Sequence, residues 1–196
     1  MASIDSKALF EKVFFAPTED KVREIIDEHP EIFRDECWHP LGGDENYFGI
    51  VRGQQSNPIA AIVEKVTNSI DALLMKKCHE AGIDPKAPEA PRNMEEARQI
   101  FFVDHKQWDL QAVRRRQAEE IQIIADGPPR NTSVIIYDNG EGQHPEDFEK
   151  TFLSLVRGNK IHIHFVQGKY NMGGSGALLF CGKERYQLIA SKRFDN

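Results

Sequence analysis

Glu64, Asn68 and Asp71 recur at i, i+4 and i+7 in the run Glu64-Lys65-Val66-Thr67-Asn68-Ser69-Ile70-Asp71-Ala72. At about 3.6 residues per turn, that spacing sets an acid, an amide and a second acid in one stripe of a helix face. A carboxylate can take a proton from water, and an amide oxygen can hold a hard cation such as Mg2+. A second cluster, Asp138-Asn139-Gly140-Glu141-Gly142, follows the apolar run Val134-Ile135-Ile136-Tyr137. Asp138 at a strand end can accept from an exocyclic amine, and Gly140 and Gly142 let the backbone approach a planar ring where a Cβ would intrude. A third cluster, Gly168-Lys169-Tyr170-Asn171-Met172-Gly173-Gly174-Ser175-Gly176, precedes Ala177-Leu178-Leu179-Phe180. Consecutive N–H groups in such a loop, opening onto a helix start, form an anion cradle. A base, a metal ligand, a ring-reading acid and a phosphate cradle are the parts of a nucleotide-hydrolysing site.

The second and third clusters have ordinary alternatives. Asp-Asn-Gly is a common turn tripeptide, so the second cluster alone also fits a tight turn. A calcium loop starting at Asp138 would put Glu149 at its twelfth position. Gly140, Gly142 and Gln143 would then fall where ligands and an obligatory glycine are needed, and that reading fails. The third cluster has no Lys-Ser or Lys-Thr pair after its glycines and no preceding strand with G-x-G-x-x-G spacing. A flexible linker is its plain alternative, but Tyr170, Asn171 and Met172 are poor linker residues. Cys37-Trp38-His39 and Cys78-His79 lack a four-ligand zinc spacing and favour structural roles. His162 and His164 alternate along a short segment and are expected at the surface.

Positioning these groups requires one long helix above all. Asn57 is its expected N-cap and Pro58 its first turn, and it runs from Pro58 to about His79. Ile59, Ile62, Val63, Val66, Ile70, Leu73 and Leu74 gather on one side as the expected core face. Glu64, Asn68 and Asp71 lie opposite, flanked by Ala60, Ala61 and Ala72, small residues that leave room for something to dock. Before it, Ala8 to Phe15 and Glu19 to Glu28 read as amphipathic helices, the second capped by Thr18 and stopped by Pro30. Cys37 to Gln55 is rich in glycine and polar groups and reads as a connector or a short edge element. Beyond the prolines of Asp84 to Pro91, Glu95 to Ile124 reads as helical, and Gly127-Pro128-Pro129 breaks the chain before a strand over Ser133 to Tyr137. Pro145 starts a helix expected to reach about Val156, ended by Arg157-Gly158-Asn159-Lys160. Ile161 to Phe165 is either a short alternating strand or a mobile segment, and Tyr186 to Ser191 is a further strand.

Bulk properties exclude several classes. The formal net charge of −6 argues against a polyanion-binding surface as a whole. Arg114-Arg115-Arg116 is followed at once by Glu119-Glu120, as on a solvated helix face. No apolar run approaches the roughly 20 residues of a membrane span, and Met1-Ala2-Ser3-Ile4-Asp5 has no signal-peptide character. The three cysteines are scattered, so a reducing, cytoplasmic setting is expected.

Taken together and in this order, the clusters resemble the GHKL family of ATPases: gyrase, the large heat-shock chaperones, histidine kinases and MutL. Its helix motif E-x-x-x-N-x-x-D is matched by Glu64, Asn68 and Asp71, and its adenine motif D-x-G-x-G by Asp138, Gly140 and Gly142. A glycine-rich phosphate loop after a mobile lid corresponds to Gly168 through Gly176. The resemblance covers roughly Pro58 to Ser191. It implies an α/β fold, the two-layer Bergerat sandwich with a mixed sheet and helices on one face. Residues 57–196 would form the ATP-binding domain, with a helical insertion near 92–126, after an N-terminal helical segment and connector over 1–56.

The resemblance also assigns roles. Glu64 becomes the general base, Asn68 the Mg2+ ligand and Asp138 the adenine anchor. Asp71, Gly140, Gly142, Lys160, Gly168, Lys169, Gly173, Gly174, Ser175 and Gly176 complete the set contacting Mg-ATP. Lys160 sits where the MORC-like branch has a lysine. The phosphate loop is longer than G-x-x-G-x-G, and the link from Asp71 to Asp138 is long for the family. The later strands and second domain of family members are not in this sequence, which therefore reads as a fragment of a larger protein. The expected activity is slow ATP hydrolysis driving a conformational switch, with self-association on ATP binding and a DNA or protein client outside this chain. A nucleotide sensor or clamp module without turnover is the alternative. A histidine-kinase-like phosphotransferase fits worse, because His29, His39 and His144 each precede proline.

Overall fold

A computed structural model of the protein describes residues 5–47, 49, 53, 57–103, 106, 111–155, 160–168 and 173–195, a mixture of helix and strand. Helices α1 (Ser6–Phe14) and α2 (Glu19–Glu28) open it, and local caps set both starts. Asp5 accepts from the Lys7 N–H and Thr18 from the Lys21 N–H, each satisfying a donor that the first helical turn leaves without a partner. Short 3-10 turns follow at Asp35–Cys37 and Leu41–Gly43.

Helix α3 (Pro58–Glu80) starts as expected: the Asn57 side chain accepts from the Ile59 N–H, and Pro58 sits where no N–H is needed. Lys77 and His79 lie in its last turn, where positive charge complements the helix dipole. Helix α4 (Met94–Phe101) is capped by Asn93, whose side chain accepts from the Glu96 N–H. Helix α5 (Gln111–Glu120) runs directly into strand β1 (Ile121–Asp126). The single helix expected from Glu95 to Ile124 is therefore broken, and its end is a strand. The cause lies in the partner: β1 pairs antiparallel with β2 (Ser133–Asp138), setting Ile123 opposite Ile136 and Ile124 opposite Ile135. Such β-branched pairs favour a pleated ladder over a helix. Among the described residues the sheet comprises these two strands.

Two further expectations are corrected. Pro145–Lys150 is a 3-10 turn rather than the first half of a helix to Val156, which lies outside the described residues. The hydroxyls of Thr151 and Ser154 bond back to the carbonyls of Asp147 and Lys150, and Thr151, the C-cap, has left helical geometry. Tyr186 to Ser191 has no regular secondary structure and pairs with neither strand of the described sheet, and Ser191 accepts from the Gln143 N–H through its side chain instead. Ile161 to Phe165 forms turns, with Ile163 and Phe165 buried and His162 and His164 exposed. The one-turn helix α6 (Gly173–Gly176) leads into a 3-10 turn over Ala177–Phe180.

The core lies at the C-terminal half of α3. Leu74, Met75 and Cys78 pack with Ala90, Ala97 of α4, Ile163, Phe165 and Val166. The face of α3 expected to be buried is therefore only partly so. Leu73 and Leu74 are buried, but Ile59 is 71% exposed and Val63 57% exposed. Periodicity defines an apolar stripe; what docks against a helix depends on segments distant in sequence. Among the described residues no helix is long and apolar enough to cross a membrane.

Candidate functional site

Helix α3 presents Ala60, Val63, Glu64, Thr67 and Asn68 to a groove of about 360 Å³, closed on its other side by Gln167 and Gly168. Glu64 and Asn68 are half-buried on its wall. One turn further along, the Asp71 carboxylate is fully buried. It accepts from the Gln167 N–H through both oxygens, at 2.9 and 3.1 Å, and from the Gly168 N–H at 2.7 Å. A buried carboxylate without such donors would be strongly unfavourable, and backbone N–H groups are effective partners for a charged acceptor. Asp71 therefore fastens the start of the glycine loop to α3, and any influence it has on a ligand runs through that loop.

Gly168 is required by this approach. A Cβ there would stand 2.7 Å from Asn68 Oδ1 and 3.2 Å from Asp71 Oδ2. The helix motif and the first loop glycine thus meet. Gly173, Gly174, Ser175 and Gly176 form α6, which packs against α3, with Ser175 and Gly176 buried. Lys169, expected to contact phosphate, lies outside the described residues. Lys160 is half-buried, its carbonyl accepting from the Ile163 N–H, and it does not line the groove.

The Asp138 turn reaches the same helix one turn on. Asp138 Oδ1 accepts from the Gly140 N–H at 3.0 Å, leaving Oδ2 as the oxygen that could read a ring amine. The Glu141 N–H donates to the Ala72 carbonyl at 3.0 Å. Lys76 Nζ donates to the Asn139 carbonyl at 3.0 Å and to Asn139 Oδ1 at 2.9 Å. A Cβ on Gly140 would lie 2.4 Å from Ala72 Cβ. The space beside Ala72, expected to admit a ligand, is thus taken by the turn itself. Gly142 has φ +65, and a Cβ there would fall 1.9 Å from the Lys192 carbonyl oxygen. Both glycines meet a packing requirement in addition to any approach to a ring. Asp138, Gly140 and Gly142 are not in the groove lining. Asn68 and Ala72 stand i, i+4, about 6 Å apart along the axis, so groove and turn adjoin on one stripe.

No family model, curated protein or solved structure matches this chain. The chemistry of the site carries its own reading.

Burial pushes the Lys65 ammonium below its ordinary value, while Cys181 and Glu64 nearby act in the opposite direction. The Cys181 thiol is pushed up by burial, opposed by Lys65, and it donates to the Ala177 carbonyl at 3.2 Å. Among the described residues no group of three or more His, Cys, Asp or Glu could hold a metal ion. A Mg2+ held by one amide oxygen, water and substrate phosphates needs no such group. Several residues were not anticipated. Lys76 continues the series Glu64, Asn68, Ala72 at steps of four, and following that stripe one turn further would have found it. Gln167, Ser191 and Arg193 carry no local signal, because their roles arise from contacts with distant segments.

Proposed function

We propose that this chain is an ATP-binding module that hydrolyses Mg-ATP slowly and acts as a conformational switch. The observation that supports it is the groove in which Glu64, Asn68 and Gly168 meet, with Asp71 joining the loop to the helix. Its volume falls at the lower end of the roughly 300–1,000 Å³ of small-molecule sites. Its lining combines an acid, an amide, a hydroxyl and a loop backbone with the apolar Ala60 and Val63, a donor set suited to phosphate and a hard cation.

In this reading Asn68 Oδ1 would hold Mg2+, which when bound supplies charge relief at the phosphates. Glu64 would take the proton of the attacking water. Asp138 Oδ2 would accept from the adenine amine, and the backbone of Gly168, Gly173, Gly174, Ser175 and Gly176, with Lys169, would cradle phosphate. The finer architecture of this reading is the two-layer Bergerat sandwich, with β1 and β2 as part of a mixed sheet. A larger assembly would use ATP-dependent self-association to act on a DNA or protein client.

Isothermal titration with ATP, ADP and a non-hydrolysable analogue, each with and without Mg2+, tests this. Mg2+-dependent binding of ATP and its analogue is expected; no binding of any of the three overturns the proposal.

A further inference from the structure

The 138–142 turn is held from both sides, and only one side is α3. Across the other lies the segment 191–195. Ser191 Oγ accepts from the Gln143 N–H at 2.9 Å, and the Phe194 N–H donates to the Glu141 carbonyl at 3.0 Å. Arg193 Nη1 donates to Glu141 Oε2 at 3.0 Å, between side chains only 16% and 8% exposed. His79 Nε2 of α3 lies 3.5 Å from the same oxygen. The Arg193 guanidinium sits 4.9 Å over the Phe194 ring and reaches Asp195 through Nε at 3.1 Å, while the His79 ring stacks on Phe194 at 6.0 Å.

We infer that Arg193 and Glu141 form a latch that positions the base-reading turn, an inference resting on the nucleotide reading above. The backbone N–H groups of the turn are committed in sequence: Gly140 to Asp138, Glu141 to Ala72, Gln143 to Ser191. Asp138 takes its orientation from the Gly140 N–H, so its aim depends on where residues 140–142 lie. Those residues are clamped between α3 and the 191–195 segment. A buried carboxylate that loses its guanidinium moves towards water or another cation. Without Arg193, Glu141 keeps His79 alone, and the turn relaxes. The phosphate side is anchored elsewhere, by Asp71 on Gln167 and Gly168. Arg193 is thus a positioning residue for recognition of the base and not for recognition of phosphate.

The test compares wild type, Arg193→Ala, Arg193→Lys and Glu141→Gln. Each is titrated with Mg-ATP and with Mg-tripolyphosphate, which has the phosphates and no base, and amide hydrogen exchange is followed at residues 139–143. Arg193→Ala is expected to weaken ATP binding about tenfold or more, because Asp138 loses its aim and with it a charge-assisted hydrogen bond to the base. Tripolyphosphate affinity stays at the wild-type value, the Glu141 and Gln143 amides exchange faster, and Arg193→Lys recovers part of the ATP affinity. Unchanged ATP binding, or an equal loss for both ligands, overturns the latch while leaving the nucleotide reading intact. Wild type that binds neither ligand overturns the nucleotide reading, and the role of the latch with it.

Discussion

Asp71 Oδ2 accepts the Gly168 N–H at 2.7 Å, joining residues 97 positions apart beside the groove. The contact makes one helix both the wall of the site and the anchor of its loop. Replacing Asp71 by Ala removes the acceptor of the Gln167 and Gly168 N–H groups at a half-buried contact, at a cost of about 1–3 kcal/mol. Asp71→Asn keeps one acceptor and is expected to lose less. Urea denaturation midpoints of the two variants decide this; equal, small shifts would show that the loop is held by other contacts.

Glu64 and Asn68 share the groove but should separate in function. Glu64→Ala is expected to keep Mg-ATP binding and lose turnover by about 10²–10⁴, the usual share of a general base. Asn68→Ala should instead weaken binding only when Mg2+ is present. Titration beside a steady-state ATPase assay reads both, and undiminished turnover in Glu64→Ala would place the base elsewhere.

Asp138 has one oxygen tied to the Gly140 N–H. Asp138→Asn should lower ATP affinity about ten- to hundredfold, because a charge-assisted acceptor is lost. GTP, which presents a carbonyl where adenine presents an amine, should bind much more weakly than ATP to the unaltered chain. Equal affinities for the two nucleotides would remove Asp138 from base recognition.

Gly140 packs against Ala72, so Gly140→Ala should destabilise by about 1–3 kcal/mol through overpacking. Adding Ala72→Gly should restore only part of this, since the added methyl would still lie 2.9 Å from the carbonyl carbon of residue 72. Thermal melts of the single and double variants check it, and full restoration would mean the clash lies with the methyl alone.

Glu19 couples the two ends of the described chain. Its carboxylate accepts from the Lys183 N–H at 3.0 Å and the Glu184 N–H at 2.7 Å, and these bonds hold its pKa below the ordinary 4.5. A depressed folded pKa means the carboxylate binds protons more weakly folded than unfolded. Its stabilisation is therefore complete above the ordinary value and lost as pH falls through the lower folded one. Glu19→Gln should flatten that acid limb in denaturation midpoints measured across pH; an unchanged slope would show that the pair of bonds contributes nothing to folding.

What the sequence determined by itself was local. The start of α3 at Asn57-Pro58, the bounds of α2 and the strand leading to Asp138 follow from caps, punctuation and short-range pattern, all settled within a turn or two of chain. The stripe of Glu64 and Asn68 is equally local, because helix geometry alone aligns residues four apart. Tertiary structure decided the rest. Whether Ile121–Asp126 is helix or strand depends on β2 supplying a ladder, which no window around β1 contains. The stripe holding Ile59 and Val63 is well formed in sequence yet exposed, because α3 buries the side that receives residues 163–168. Asp71, between Ile70 and Ala72, and Glu141, between two glycines, carry no mark in sequence of the partner each will meet. Only the arrival of Gly168 and Arg193 makes each a buried, partnered charge, since burial and pairing belong to segments brought together in space.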